Sequence, residues 1–288
     1  MTGGDLLGRD AIAELIRRRR GVSVRPDAVS DWLAGGAGGE PVVDELGDRL
    51  GSLVATLRAP ATAAAAGGAR RSYLEVWQHL APVLIGGGLV KGTVGERVAG
   101  RAAAAAGVEV RAAPHPEWLP LIGAARSVPG RHRWALVMDG GQTWIKRGLA
   151  EFTGPTLAGL RILDPVPVES LTPAELPAVV DRAVAAMRNG QTGGAEEVVI
   201  SVASYLEDGR PIRAVPSIYE RLDPASMLSE FGISVRLLHD GTAAWRAVAT
   251  EAPSGVVVLG TWLGVGIGPH GERLRPVAAD FRVRRERF

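Results

Sequence analysis

The stretch "ALVMDGGQTWIKRG" at 135–148 does most to limit what this chain can fold into. An apolar run ends at Asp139, a glycine pair and Gln142-Thr143 follow, and a second run begins at once. Small, flexible residues between two such runs predict a strand, a tight turn and a returning strand. A carboxylate at a strand end can hold the hydration shell of Mg²⁺. Bare glycines let backbone N–H groups approach phosphate oxygens. An ordinary Asp-Gly-Gly hairpin has the same residues, so the motif alone leaves both readings open.

Around it the chain alternates between two periodicities. Helical spacing is expected at 5–20, 26–35, 41–58 and 71–81, from near Thr93, and at 116–128, 173–189, 223–232 and 241–252, with Thr172 and Pro173 as the cap and first residue of the helix at 173–189. Strands are expected at 82–85, 107–113, 134–139, 143–151, 158–165, 196–204 and 234–240, with a two-stranded hairpin at 255–268. "APATAAAAGGAR" near 59–70 is expected to be a loop or a frayed helix, and "PGRHR" (129–133) a linker. Strands alternating with helices indicate an α/β fold. No internal repeat of fixed period is present.

Composition removes several function classes. Lysine plus arginine number 33 against 31 acids, a net charge of +2, so no basic surface for nucleic acid is indicated. "RRRR" at 17–20 and "RVRRER" at 282–287 read as solvated helix or tail residues. Cysteine is absent, which excludes disulfides, thiolate metal sites and cysteine nucleophiles. With no long apolar run and with Asp5, Asp10 and Glu14 near the start, neither a leader nor a membrane span is expected, and the cytoplasm is the expected compartment.

Three further motifs could carry chemistry. "LGTWLGVG" (259–266) is a second glycine-rich hairpin with a hydroxyl in its turn, or a hairpin built for tight packing. "HDGT" (239–242) places Asp240 where a strand passes into a helix, suited to a general base or to a helix N-cap. Gly86-Gly87-Gly88 follows a short strand, where bare backbone can lie against a flat ring or turn into the next helix.

Together these motifs resemble the actin-like ATPase superfamily, and within it the bacterial ROK family of sugar kinases and repressors. The family's first phosphate motif, Asp-x-Gly-Gly-Thr, is matched by Asp139–Thr143. Its Asn-Asp-Ala base motif is matched by His239-Asp240-Gly241, its Leu-Gly-Thr-Gly-x-Gly-Gly-Gly motif by 259–266, and its adenosine Gly-Gly-Gly by 86–88. "LIGAARS" (121–127) resembles its closing Gly-Ala-Ala helix. The family order begins with the first phosphate motif, whereas this chain places the adenosine motif and closing helix ahead of it. The resemblance therefore implies a two-domain actin-like ATPase (ribonuclease H-like) α/β fold in circularly permuted order. Its expected parts are 1–117 (large domain, adenosine motif), 118–250 (small domain, first hairpin and base) and 251–288 (rest of the large domain).

The resemblance also implies site residues. Asp240 would be the catalytic base and Asp139 the Mg²⁺ residue. Gly140, Gly141, Gln142, Thr143, Gly260, Thr261, Gly264, Gly86, Gly87 and Gly88 would contact ATP, and His239 the substrate. The implied partner is a small-molecule hydroxyl acceptor, with no nucleic acid or membrane, in a homodimer. Lys146 follows the first turn and reads as a solvated residue or a phosphate contact. Departures are the absent cysteine cluster, the absent Glu-x-Gly-His sugar contact, His239 in place of Asn, and Trp262 in place of a glycine. They support a rival reading, a pseudokinase of the same fold acting as a binding or regulatory module.

Overall fold

The computed structural model describes residues 3–36, 39–59, 75–130, 132–172, 174–190, 197–212, 214, 216–226, 233–249, 254–261, 263–268 and 272–285. Among these the strands are β1 (Val83–Gly86), β2 (Val110–Ala112), β3 (Trp134–Gly140), β4 (Trp144–Thr153), β5 (Thr156–Pro167), β6 (Glu197–Val202), β7 (Tyr205–Glu207), β8 (Arg210–Ile212), β9 (Ser234–His239), β10 (Gly255–Leu259), β11 (Leu263–Ile267) and β12 (Val277–Arg285). The helices with both ends described are α1 (Gly3–Leu7), α2 (Arg9–Arg20), α3 (Val29–Ala34), α4 (Glu40–Arg58), α5 (Gly92–Ala106), α6 (Leu119–Arg126), α7 (Leu176–Gly190) and α8 (Asp240–Val248), and residues 75–79 and 224–226 are also helical. The chain divides into two compact units, Met1–Leu119 with Val248–Gly271 and Pro120–Ala247 with Glu272–Phe288.

The first unit has a four-stranded sheet in the order β11-β10-β1-β2. β10 and β11 form an antiparallel hairpin, and β1 runs parallel to both β10 and β2. α2 buries Ile12, Leu15 and Ile16 at helical spacing and stops at Gly21, whose left-handed φ of 67° lets its N–H reach Arg17 O. α4 and α5 pack at backbone distance. A Cβ on Gly47 would lie 2.5 Å from Arg101 Cβ, and one on Gly51 would lie 2.6 Å from Ala105 Cβ. Ion pairs Arg97–Asp44 and Arg101–Asp48, both 2.6 Å, run alongside this seam.

The second unit has a six-stranded sheet in the order β12-β5-β4-β3-β6-β9. β3, β4 and β5 form an antiparallel meander, while β6 lies parallel to β3 and to β9. The central strands β3 and β6 are almost wholly buried, as their largely apolar sequences require. Leu136, Met138, Val198, Ile200 and Val202 form the core with Val179, Val180 and Tyr219. Glu197, at the N-terminal end of β6, is buried between Arg236 (2.6 Å) and His132 Nε2 (3.3 Å). Pairing of this kind is required of a buried charge.

Several elements depart from expectation. The helix expected over 5–20 is two helices, because Gly8 has an extended ψ of 162°. The strand expected over 107–113 shortens to β2, since Gly107 caps α5 in the left-handed region. α7 starts at Leu176, preceded by a turn in which the Thr172 N–H and hydroxyl both donate to Glu175, 2.7 Å each. "RVRRER", read as a helix or tail, contributes to the edge strand β12, which pairs parallel with β5. The segment expected as 251–288 is therefore shared, with residues beyond Gly271 joining the second unit. The loop expected at 59–70, Pro173, and 227–232 of the helix expected at 223–232 lie outside the described residues, apart from Ala59.

Candidate functional site

In the second unit, register brings the sequence-derived acids to one end of the sheet. Asp139 pairs with Ser201 across β3 and β6, and Ser201 with Leu238 across β6 and β9. Gly140, Val202 and His239 form the next row, and Asp240 comes one residue later as the first residue of α8. The site thus lies at the carboxyl ends of parallel strands, where open α/β sheets bind ligands.

Asp139 is buried, and its two oxygens have different partners. Oδ1 accepts from the buried Ser201 hydroxyl at 3.1 Å, while Oδ2 faces Lys146 Nζ at 3.4 Å. Lys146, read as solvated or phosphate-directed, is thus beside this carboxylate and a third exposed. Gly140 and Gly141 are needed for close approach. A Cβ on Gly140 would come within 2.8 Å of the Tyr219 ring, and one on Gly141 within 3.0 Å of Trp144 O. The Tyr219 hydroxyl donates to Gly141 O at 2.7 Å, and the Gly141 N–H lies 3.0 Å from Asp139 O and 3.1 Å from Trp144 O. That N–H closes the turn. Gln142 Oε1 is buried with no partner among the described residues. Thr143 O accepts from the Val168 N–H, tying the turn to the end of β5.

Asp240 is held from its own helix and from its neighbour. Oδ1 accepts the Gly241 N–H at 2.7 Å and lies 3.3 Å from His239 Nε2. His239 Nδ1 accepts the Thr242 N–H at 3.3 Å, which leaves the ring proton on Nε2, facing Asp240. The imidazole stacks on Tyr205 at 5.2 Å. Both ring nitrogens are thus engaged within the protein, and Nε2 of His239, expected as a substrate contact, faces the Asp240 carboxylate. Burial raises the pKa of Asp240, His239 opposes that shift, and the Asp139 charge adds to it. The side chain keeps 33% of its surface, so solvent screens part of these effects. A carboxylate with a raised pKa is a stronger base. α8 is set in place by α6, because a Cβ on Gly123 would lie 1.6 Å from Ala243 O.

In the first unit the strand ends carry backbone rather than side chains. Gly87 has φ +100°, and a Cβ there would lie 2.0 Å from Leu259 O. Its N–H donates to Pro116 O at 2.7 Å. Gly86 sits against Leu119. Gly260 and Thr261 form the turn between β10 and β11, and Gly264 pairs with Val258 inside the hairpin rather than in the turn. Trp262 lies outside the described residues.

Sequence reasoning missed Ser201 and Tyr219. Ser201 carries the one hydroxyl inside a buried apolar strand, which was a usable signal. Tyr219, in the 3-10 turn Ser217–Arg221, offered none. Among the described residues, no cluster of three or more His, Asp or Glu side chains is placed to cage a metal. No helix among them is long and apolar enough to cross a membrane.

No family model and no curated protein matches the chain. Similar solved structures include a ROK family glucokinase from Streptomyces griseus in complex with glucose and AMPPNP, 26% identical over 49% of this chain and 46% of that one, with a TM-score of 0.37. Another is a ROK family protein from Streptococcus pneumoniae in complex with sucrose, 21% identical over 49% and 50%, with a TM-score of 0.34. Both are ROK-family proteins, the family that the four motifs resemble, and this chain spans about half the length of each.

Proposed function

We propose that the protein transfers a phosphoryl group from ATP to a hydroxyl of a sugar or similar small molecule. The observation that carries this reading is the pair of carboxylates at the carboxyl ends of β3 and β9, with Asp240 turned into a stronger base by burial and by Asp139. Asp240 accepts the acceptor's proton as its oxygen attacks the γ-phosphorus, and ADP leaves with the bridging oxygen. His239 orients Asp240. Gln142 and Thr143 serve the phosphates from the first turn, Gly260, Thr261 and Gly264 from the second hairpin, and Gly86–Gly88 the adenosine.

Mg²⁺, when bound with ATP, neutralises phosphate charge. Asp139 is the residue that would hold its water shell, and the donor set fits, because Mg²⁺ keeps most of its waters and takes one or two carboxylates. Lys146 shares that carboxylate at 3.4 Å, a long ion pair.

We also infer that the chain order is circularly permuted. What supports this is a shared sheet pattern. β4-β3-β6-β9 and β11-β10-β1-β2 are each an antiparallel hairpin followed by two parallel strands. In the second unit the hairpin precedes its parallel strands along the chain; in the first it follows them.

A screen of hexoses, N-acetylhexosamines and polyols by ADP release tests the function. ADP formation matched by a phosphorylated acceptor is expected, with loss in Asp240→Asn. No transfer to any acceptor by folded protein overturns the proposal.

A further inference from the structure

The glycine triplet of the first unit has two polar neighbours that the site above does not use. A Cβ on Gly88 would lie 3.7 Å from Arg9 Nη2 and 3.8 Å from Ser30 Oγ. Arg9 opens α2, where the helix dipole opposes a cation and the charges of Asp27 and Asp31 favour it. Arg9 Nε and Ser30 Oγ are both buried atoms without a hydrogen-bond partner among the described residues. Unmade hydrogen bonds of this kind are costly unless a ligand completes them.

We propose that Arg9 and Ser30 form the base-binding side of the nucleotide subsite at Gly86–Gly88, gripping the edge of a purine ring. The inference rests on the nucleotide reading above. Charge selects a neutral ring over a phosphate. Asp27 and Asp31 both act on Arg9, and Arg25 pairs with Asp27 at 3.1 Å, so the four groups sum to zero. A phosphate subsite needs a net positive charge or several free N–H groups. A purine edge instead offers ring nitrogens that accept from a guanidinium and groups that a hydroxyl can either donate to or accept from. Gly88, lacking a side chain, leaves the approach between the two residues open.

The test is calorimetric titration with Mg·ATP and with Mg·tripolyphosphate, which has no base. Ser30→Ala is expected to weaken ATP about 5-fold and Arg9→Gln about 10-fold, with tripolyphosphate unchanged. Gly88→Ala is the sharpest variant, because a methyl there meets only ordinary contacts in the protein yet occupies the ring's approach. It is expected to melt within about 2 °C of the parent, a shift of a few tenths of a kcal/mol, and to weaken ATP by about 10-fold or more, the scale of one strong contact. If Arg9→Gln fails to fold, Ser30→Ala and Gly88→Ala decide. Unchanged ATP affinity in those two, or an equal loss for tripolyphosphate, overturns the inference while leaving the nucleotide reading intact. A parent protein that binds neither probe overturns both.

Discussion

In the second unit the strands β3, β6 and β9 run out into Asp139, Ser201, His239 and Asp240. In the first unit the strands at matching sheet positions, β10, β1 and β2, run out into Gly260, Gly86–Gly88 and Ala113. The same four-strand scaffold thus ends in functional groups in one unit and in backbone in the other. Proton transfer needs a titratable group held at a defined place, and β9 provides one at the start of α8. A flat ring needs surface and close approach, and glycine provides both. In the proposed function, proton transfer therefore belongs to the second unit and the adenosine contacts to the first.

The largest expected effect falls on the acidic end. Asp240→Asn should lower kcat by about 10³-fold, within the range for loss of a general base. The same variant should melt at a higher temperature at pH 7. The folded pKa of Asp240 is raised above its ordinary 3.8, so the stability linked to its protonated form is present below that value and lost as pH rises through the folded pKa. At pH 7 the ionised carboxylate is a cost that Asn removes.

Next come two glycines, one per unit, that have no room for a side chain. Gly87→Ala brings a Cβ against Leu259 O at positive φ, and Gly123→Ala brings one against Ala243 O. Each should destabilise by about 3 kcal/mol in urea titration, from overpacking with added backbone strain at Gly87. Equal loss of stability with unequal loss of function would sharpen the comparison. Gly123→Ala should lower kcat in the remaining folded protein by displacing α8, while Gly87→Ala should raise the Kd for ATP. Tyr219→Phe is milder, at about 1 kcal/mol for the lost bond to Gly141 O.

The smallest effect is electrostatic. The acid limb of kcat/KM should lie above pH 3.8, because Asp240 must be ionised to act. Asp139→Asn removes a charge that raises the Asp240 pKa, so the Asp240 carboxyl, followed by ¹³C NMR, should titrate at lower pH in that variant. No movement would mean the two carboxylates are independent.

Much of this arrangement was legible in the sequence. β3, β6 and β10 are apolar runs punctuated by glycine or by a polar residue, and Asp240 stands at a visible switch from period 2 to period 3.6. What was hidden depends on register and on distance along the chain. The Ser201–Asp139 bond spans 62 residues, and Tyr219–Gly141 spans 78. β12 escaped notice because an exposed edge strand carries alternating arginines, a composition that also suits a solvated tail. The shared sheet pattern left no repeat in the sequence, since its strands come in a different chain order in each unit and end in different residues.

The most direct test of this division is calorimetric titration of Mg·ATP into Asp240→Asn. Binding within about 3-fold of the parent, in a protein that no longer turns over, is expected if the acid acts on the acceptor alone; about 3-fold is less than one hydrogen bond is worth. Loss of ATP binding together with turnover would contradict it, placing Asp240 in the nucleotide site and not at the acceptor.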